Sequence, residues 1–173
     1  MTPEERIQAG GVTLVFDAAN VSTATLFRLA KAALSSGVEV RCVVPATAHL
    51  EKLFDTRQKK GAEYRAAIVR AALEDAGVEV LSLDAGQAEL AAERLYGWFP
   101  DNESWQQAKR ARIGKIGNVG AAPATIDWVT AAMCPNEAIV ITDDRGQEFR
   151  GCERMGSEEL RVALTGLAGA KRN

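Results

Sequence analysis

The stretch VTLVFDAANVSTATLFRLAKAALSSGVEVRCVV, residues 12–44, decides the fold. Two short apolar runs rich in β-branched residues, Val12–Phe16 and Val38–Val44, enclose a segment whose leucines and alanines recur at helical spacing. Gly37 stands where a glycine commonly ends a helix. A strand, a helix and a second strand in this order predict a β-α-β unit with parallel strands.

The same alternation continues along the rest of the chain. Two further strands are predicted over Val78–Leu83 and Ala138–Thr142. Further helices are predicted over Glu63–Asp75, Gly86–Tyr96, Thr125–Met133 and Ser157–Leu167. Short apolar, β-branched runs that alternate with helices are typical of a parallel sheet covered by helices on both faces. We therefore expect an α/β fold, a three-layer α/β/α sandwich with a central, mainly parallel sheet.

One segment interrupts this pattern. Phe99–Ala122 contains basic residues and glycines without apolar alternation, and we interpret it as an insert with a short helix over Glu103–Ile113 and then a loop. In the last helix, Ser157 is the expected N-cap, and residues 169–173 are the expected frayed tail. A chain of 173 residues is long enough for one core and short for two, so residues 1–173 are expected to form a single domain.

Charge and cysteine content narrow the function classes. With 21 Lys and Arg against 23 Asp and Glu, the net charge is -2, so no global basic field indicates nucleic-acid binding. An anionic partner would have to be bound by a local patch or through a metal. The three cysteines form no C-x-x-C pair, which disfavours a disulfide framework and a zinc site and favours a cytoplasmic protein. Cys42 and Cys134 are expected to be small buried apolar side chains.

Other sequence signals are missing. The charged segment Met1–Gly11 does not resemble a signal peptide, and no apolar run approaches the length of a transmembrane helix. Neither a G-x-G-x-x-G motif nor a P-loop lysine motif is present, which argues against a nucleotide cofactor. His49 is the only histidine, so ribonuclease chemistry based on paired histidines is excluded, and we expect a surface or supporting role for it.

Acidic residues directly follow two of the predicted strands. Asp17 comes after Val12–Phe16, and Asp143 and Asp144 come after Ala138–Thr142. In open α/β sheets the functional crevice lies at the carboxyl ends of the strands, and parallel strands place both acidic ends at one edge. The alternative is that each aspartate is an ordinary turn or helix-cap residue. The two strand ends together favour a functional site over that alternative.

Two more acids are candidates for the same site. Asp127 lies in the first turn of a predicted helix, where the helix dipole favours a carboxylate. Glu51 follows Pro45 at the end of the second strand. The alternatives are a charge that only stabilises the helix for Asp127, and an exposed helix residue for Glu51.

These four segments, in this order, resemble the acidic signature of PIN domains, most closely that of VapC-type toxins. The matching features are a strand ending in aspartate, V-P-x-x-x-x-x-E on the next strand and helix, a helix with x-D-x-x-x-A-A, and a strand ending in T-x-D. The match spans Val12 to about Phe149. The resemblance implies a PIN-like nuclease domain in which the catalytic, metal-binding acids are Asp17, Glu51, Asp127 and Asp144.

The resemblance also implies supporting residues. Thr142 takes the threonine position of T-x-D, where its hydroxyl supports the acids, and Asn20 stands near the asparagine that usually follows the first aspartate of the family. The doublet Asp143–Asp144 leaves open which of the two is the main fourth ligand. The expected cofactor is Mg²⁺ or Mn²⁺, because the ligand set is made of hard oxygen atoms without histidine or thiolate.

The expected activity is that of a metal-dependent endoribonuclease, a hydrolase of RNA phosphodiesters. The resemblance to VapC-type toxins implies that the chain could be the toxin of a type II toxin–antitoxin pair. The partners of such a toxin would be RNA, a cognate antitoxin and a second copy of the chain. The predicted RNA-binding residues are the basic run Lys109, Arg110, Arg112 and Lys115. Trp98, Phe99 and Trp105 are candidates for stacking on unpaired bases. For this basic and aromatic segment, the alternative is a solvated helix face with ordinary core aromatics.

Two other function classes remain open at this point. One is a non-catalytic PIN-like module that binds RNA or protein. The other is a haloacid-dehalogenase-like phosphatase, which also begins with a strand and an aspartate but requires D-x-D where this chain has Asp17, Ala18 and Ala19.

Overall fold

A computed structural model describes residues 1–17, 21–47, 62–82, 84–107, 130–135, 137–143 and 152–170. The strands in these ranges are β1 (Val12–Phe16), β2 (Val40–Pro45), β3 (Glu79–Leu81), β4 (Ile139–Ile141) and β5 (Glu153–Met155). The longer helices are α1 (Pro3–Ala9), α2 (Thr23–Ser35), α3 (Ala62–Asp75), α4 (Ala85–Trp98) and α5 (Ser157–Ala170). Shorter helical segments cover residues 46–47, 102–107 and 130–133.

The five strands form one sheet in the order β3-β2-β1-β4-β5, and each neighbouring pair is parallel. The expected α/β class with a parallel sheet is therefore confirmed. The order reverses at β1, which has β2 on one side and β4 on the other. In doubly wound sheets a crevice opens at such a reversal, outside the carboxyl ends of the two strands.

Both faces of the sheet are buried. Leu14 and Phe16 of β1 pack on one face with α1, α2, α3 and α5, while Val15 packs on the opposite face. That opposite face is covered by α4 and by residues 130–133. Two helical layers with a sheet between them confirm the three-layer arrangement, and burial on both sides explains why the central strands β1 and β4 are rich in apolar residues.

The helix ends follow the signals in the sequence. The Ser22 side chain caps α2, and the Asp84 side chain caps α4. Gly37 and Gly77 have φ values of 75° and 66°, the left-handed conformation that glycine adopts after a helix. A Cβ atom at Gly77 would lie 2.8 Å from Leu34 Cδ1, so a side chain there would also collide with α2. Within the described ranges, no helix combines the length and apolar character needed to cross a membrane.

Two elements were not predicted. The first is α1, which begins with a capping box between Thr2 and Glu5. The second is β5, a strand of only three residues in which Met155 is buried while Glu153 and Arg154 are not. The Arg6 side chain joins these two parts of the chain, because it forms an ion pair with Glu153.

Several predicted bounds need correction. The helix α5 continues through Ala170, so its end lies beyond Leu167 and the expected frayed tail does not begin at residue 169. Helical structure in the insert is described for residues 102–107 only, and most of Phe99–Ala122 lies outside the described residues.

Candidate active site at the ends of β1 and β4

Asp17 lies where the strand order reverses. Its backbone N–H donates to the Ile141 carbonyl oxygen at 3.0 Å, which extends the pairing of β1 with β4 by one residue. Its own carbonyl oxygen accepts a hydrogen bond from the Val21 N–H at 2.9 Å. Only 3% of Asp17 is exposed to solvent. The backbone on both sides thus fixes a buried carboxylate at the carboxyl end of β1.

Thr142 supports this carboxylate from the neighbouring strand. It is the first residue after β4, and its hydroxyl donates to Asp17 Oδ2 at 2.7 Å. Thr142 is 5% exposed, and its backbone N–H donates to the Met155 carbonyl oxygen of β5 at 3.1 Å. The hydroxyl is therefore held in place by the sheet, and this contact is the one that its predicted supporting role requires.

Asp143 is exposed and interacts with the start of α5. Its Oδ1 accepts a hydrogen bond from the Ser157 backbone N–H, and its Oδ2 accepts one from the Ser157 hydroxyl, both at 2.9 Å. The positive end of the helix dipole stabilises a carboxylate at this position. Asp143 thus uses both of its carboxylate oxygens to stabilise the beginning of a helix.

The same contacts correct the prediction that Ser157 is the N-cap of α5. Ser157 is the first residue inside the helix, and its hydroxyl donates to Asp143 instead of accepting from a helix N–H. Gly156 precedes the helix, and its N–H donates to Glu159 Oε2 at 2.7 Å. Side chains from Asp143 and Glu159 therefore take over the capping that was expected from the serine.

The other predicted site residues lie outside the described residues. They are Asn20, His49, Glu51, Asp127 and Asp144, together with the basic run Lys109, Arg110, Arg112 and Lys115. Within the part of the chain that the structure does describe, no group of three or more His, Cys, Asp or Glu side chains is arranged to hold a metal ion. The described part of the site therefore consists of Asp17 with Thr142, and of Asp143 at the start of α5.

A contact that the sequence did not indicate connects two of the acidic segments. The Thr47 and Thr130 hydroxyl oxygens share a hydrogen bond of 2.6 Å, and Thr130 is buried. Thr47 follows β2 and precedes Glu51 by four residues, while Thr130 follows Asp127 by three residues. The hydrogen bond therefore joins the chain just before one predicted acid to the chain just after another.

The aromatic residues fall into two groups. Trp98 packs against the buried residues beneath α4, as the core alternative expected. Phe99 and Trp105 form an edge-to-face pair with ring centroids 5.0 Å apart. Together with Tyr96 they line an open cavity of about 450 Å³. Stacking of any of these aromatic side chains on bases stays a prediction.

No protein-family model matches the sequence, and no curated protein is significantly similar to it. The resemblance to PIN domains stays a prediction that rests on the order of the acidic motifs in the sequence.

Proposed function

We propose that the chain is a metal-dependent endoribonuclease whose catalytic acid at the centre of the site is Asp17. The observation that carries the proposal is the buried Asp17 carboxylate at the reversal of strand order, with its orientation fixed by Thr142. This is the position in an open α/β sheet where ligands bind.

The burial of Asp17 weighs against the alternative of an ordinary turn residue. Aspartates in turns after strands are normally exposed, and aspartate is among the residues least often fully buried. Burying a carboxylate is unfavourable unless it is paired, hydrogen-bonded or bound to a metal. A threonine hydroxyl from the next strand supplies one such hydrogen bond at 2.7 Å, and a metal-binding role supplies a reason for the burial.

The Thr47–Thr130 hydrogen bond supports the participation of Glu51 and Asp127. It brings together residues next to these acids in the sequence, and one of them, Thr47, comes just after β2, the strand that neighbours β1. In the proposed site, one or two Mg²⁺ or Mn²⁺ ions would be held by Asp17, Glu51, Asp127 and Asp144. When bound, such an ion lowers the pKa of a coordinated water and neutralises charge that develops on a phosphodiester.

The chain's own residues then have distinct tasks. Asp17 provides a carboxylate at a fixed place, and Thr142 holds that carboxylate in one orientation. The basic run in the insert, Lys109 to Lys115, would bind the phosphate backbone of single-stranded RNA on either side of the scissile bond.

Metal-dependent cleavage is the direct test. Purified protein incubated with a single-stranded RNA should cleave it in the presence of Mg²⁺ or Mn²⁺, stop when a chelator is added and resume when metal is restored. RNA binding without cleavage under all these conditions would favour the non-catalytic module. Turnover of a small phosphomonoester, with the RNA left intact, would favour the phosphatase.

A second prediction separates the two adjacent acids at the end of β4. Because Asp143 already uses both oxygens at the start of α5, we expect Asp144→Asn to slow RNA cleavage more than Asp143→Asn. Asp143→Asn should instead lower the free energy of unfolding by about 0.3–1 kcal/mol, because asparagine keeps one acceptor oxygen but lacks the charge that the helix dipole stabilises. Cleavage rates and denaturant unfolding of both variants check this, and a larger rate loss for Asp143→Asn would assign the metal ligand to Asp143.

A further inference from the structure

Two cysteines lie together on the sheet face that α4 covers. Cys134 follows residues 130–133 and is 1% exposed, and Cys152, just before β5, is half-buried and packs against the same cluster of core residues. Cys42 belongs to the core on the opposite face of the sheet. The sheet therefore separates Cys42 from the other two.

The two thiols are oriented by the same helical turn. Cys134 Sγ donates to the Thr130 carbonyl oxygen at 3.4 Å, and Cys152 Sγ donates to the carbonyl oxygen of the next residue, Ala131, at 3.7 Å. Consecutive carbonyl groups of one helix are close to each other, so the two sulfur atoms that contact them are also brought close to each other.

The surroundings favour a thiolate at Cys152. When Cys152 ionises it no longer donates to Ala131, and the single proton of the Cys134 thiol is donated to the Cys152 sulfur in place of the Thr130 carbonyl oxygen. This hydrogen bond lowers the pKa of Cys152 and outweighs the effect of burial, with Arg94 and Arg154 acting in the same direction. The same hydrogen bond, together with burial, raises the pKa of Cys134. Arg94 is held near the pair because its guanidinium donates to the carbonyl oxygens of Ala132, at 3.0 Å, and of Cys134.

Cys152 is also accessible to a small molecule. It lines a cavity of about 250 Å³ together with Arg94, Trp98 and Glu153. Cys134 does not line this cavity, and it lies behind Cys152 in the core. The pair thus has one sulfur that an oxidant can reach and a second sulfur next to it, which is the arrangement of a redox-active dithiol.

We propose that Cys134 and Cys152 are a redox-active pair that a hydroperoxide converts into a disulfide. The Cys152 thiolate attacks one peroxide oxygen, the O–O bond breaks, and the leaving hydroxide takes up a proton to form water, which leaves a sulfenic acid on Cys152. The Cys134 sulfur then attacks the Cys152 sulfur. The S–S bond forms as the S–O bond breaks, and the departing hydroxide leaves as water with the proton of Cys134. The two thiols lose two electrons in total, and hydrogen peroxide is reduced to two waters.

A disulfide between the two cysteines would constrain residues of the proposed catalytic site. Its formation would not require that site to be active. The chain between the two cysteines contains β4, Thr142 and Asp143. A disulfide would fasten the end of the 130–133 turn to the start of β5 and close this segment into a loop. A dithiol reductant would reopen it by thiol–disulfide exchange.

The test uses the folded full-length protein and hydrogen peroxide. After treatment, intact mass should show the loss of two hydrogen atoms, and one alkylatable thiol should remain where three were present before. Peptide mapping should identify the link as Cys134 to Cys152, and a dithiol should restore all three thiols. Cys134→Ala and Cys152→Ala should each abolish the link, while the matched variant Cys42→Ala should form it at the wild-type rate.

Three results would overturn the proposal. They are three alkylatable thiols after treatment, oxygen addition at Cys152 without a link to Cys134, and a link that includes Cys42. The peptide map is made on the wild-type protein, so the test stands even if the Cys134→Ala variant does not fold. Its readout is a covalent bond, so loss of the proposed ribonuclease activity would leave the result unchanged.

Discussion

Asp17→Asn protein should lose metal-dependent RNA cleavage and keep its fold. Asparagine has nearly the same volume and retains an oxygen that can accept the Thr142 hydroxyl, but it lacks the charge that holds a divalent cation. Loss of a residue that merely supports a metal ligand typically costs about 10- to 100-fold in activity or affinity. Loss of the ligand itself should therefore reduce the cleavage rate by more than about a hundredfold. Initial rates on single-stranded RNA at several metal concentrations measure this.

The matched control is Asp75→Asn. Asp75 ends α3, is exposed and forms an ion pair with Lys31, so the same chemical change is made far from the end of β1. This control should cleave RNA at the wild-type rate. A folded Asp17→Asn protein with wild-type cleavage would show that Asp17 is a structural residue and would remove the basis of the proposed function.

Divalent metal should stabilise the folded protein. An ion that binds only the folded state adds about 2.7 kcal/mol to the free energy of unfolding at a hundredfold excess over its Kd. For a domain of this size each kcal/mol corresponds to about 2–4 °C, so Tm should rise by roughly 5–11 °C with Mg²⁺ or Mn²⁺. Thermal unfolding with metal and with chelator, at constant ionic strength, is the measurement.

Variants show whether this stabilisation comes from the acidic site. Carboxylates that converge on one place repel one another when no metal is bound, so Asp17→Asn and Asp127→Asn should melt at or above the wild-type Tm in chelator. Both should also gain less from metal. If the wild-type Tm does not respond to metal and both variants are less stable in chelator, the acids are dispersed structural residues.

The parts of the fold that could be predicted are those with a strong local signal. Val12–Phe16 was predicted with the bounds that β1 has, because four of its five residues are buried on one face of the sheet or the other. The T-x-x-E pattern at Thr2 and Glu5 was present in the sequence and would have indicated α1. By contrast, β5 carries no such signal, because it has three residues and only one buried side chain.

The features of the site that could not be predicted depend on contacts between residues that are far apart in the sequence. The position of Asp17 after a strand was readable from the sequence, but its burial depends on pairing with β4, about 120 residues later in the chain. The capping role of Asp143 depends on how α5 meets the end of β4, which no pattern near Asp143 indicates. The proximity of Cys134 and Cys152 likewise arises from two elements that meet on one face of the sheet.

The length and charge of the edge strands affect how two copies of the chain can associate. In the described sheet the edges are β3 and β5, and each has three residues. Both carry charge, with Glu79 of β3 paired to Arg41, and Glu153 of β5 paired to Arg6. Short, charged edges are poor templates for the backbone pairing that leads to continuous sheets between molecules and to aggregation. A homodimer of this protein would accordingly be built on helix surfaces, and the sheet would end within each protomer.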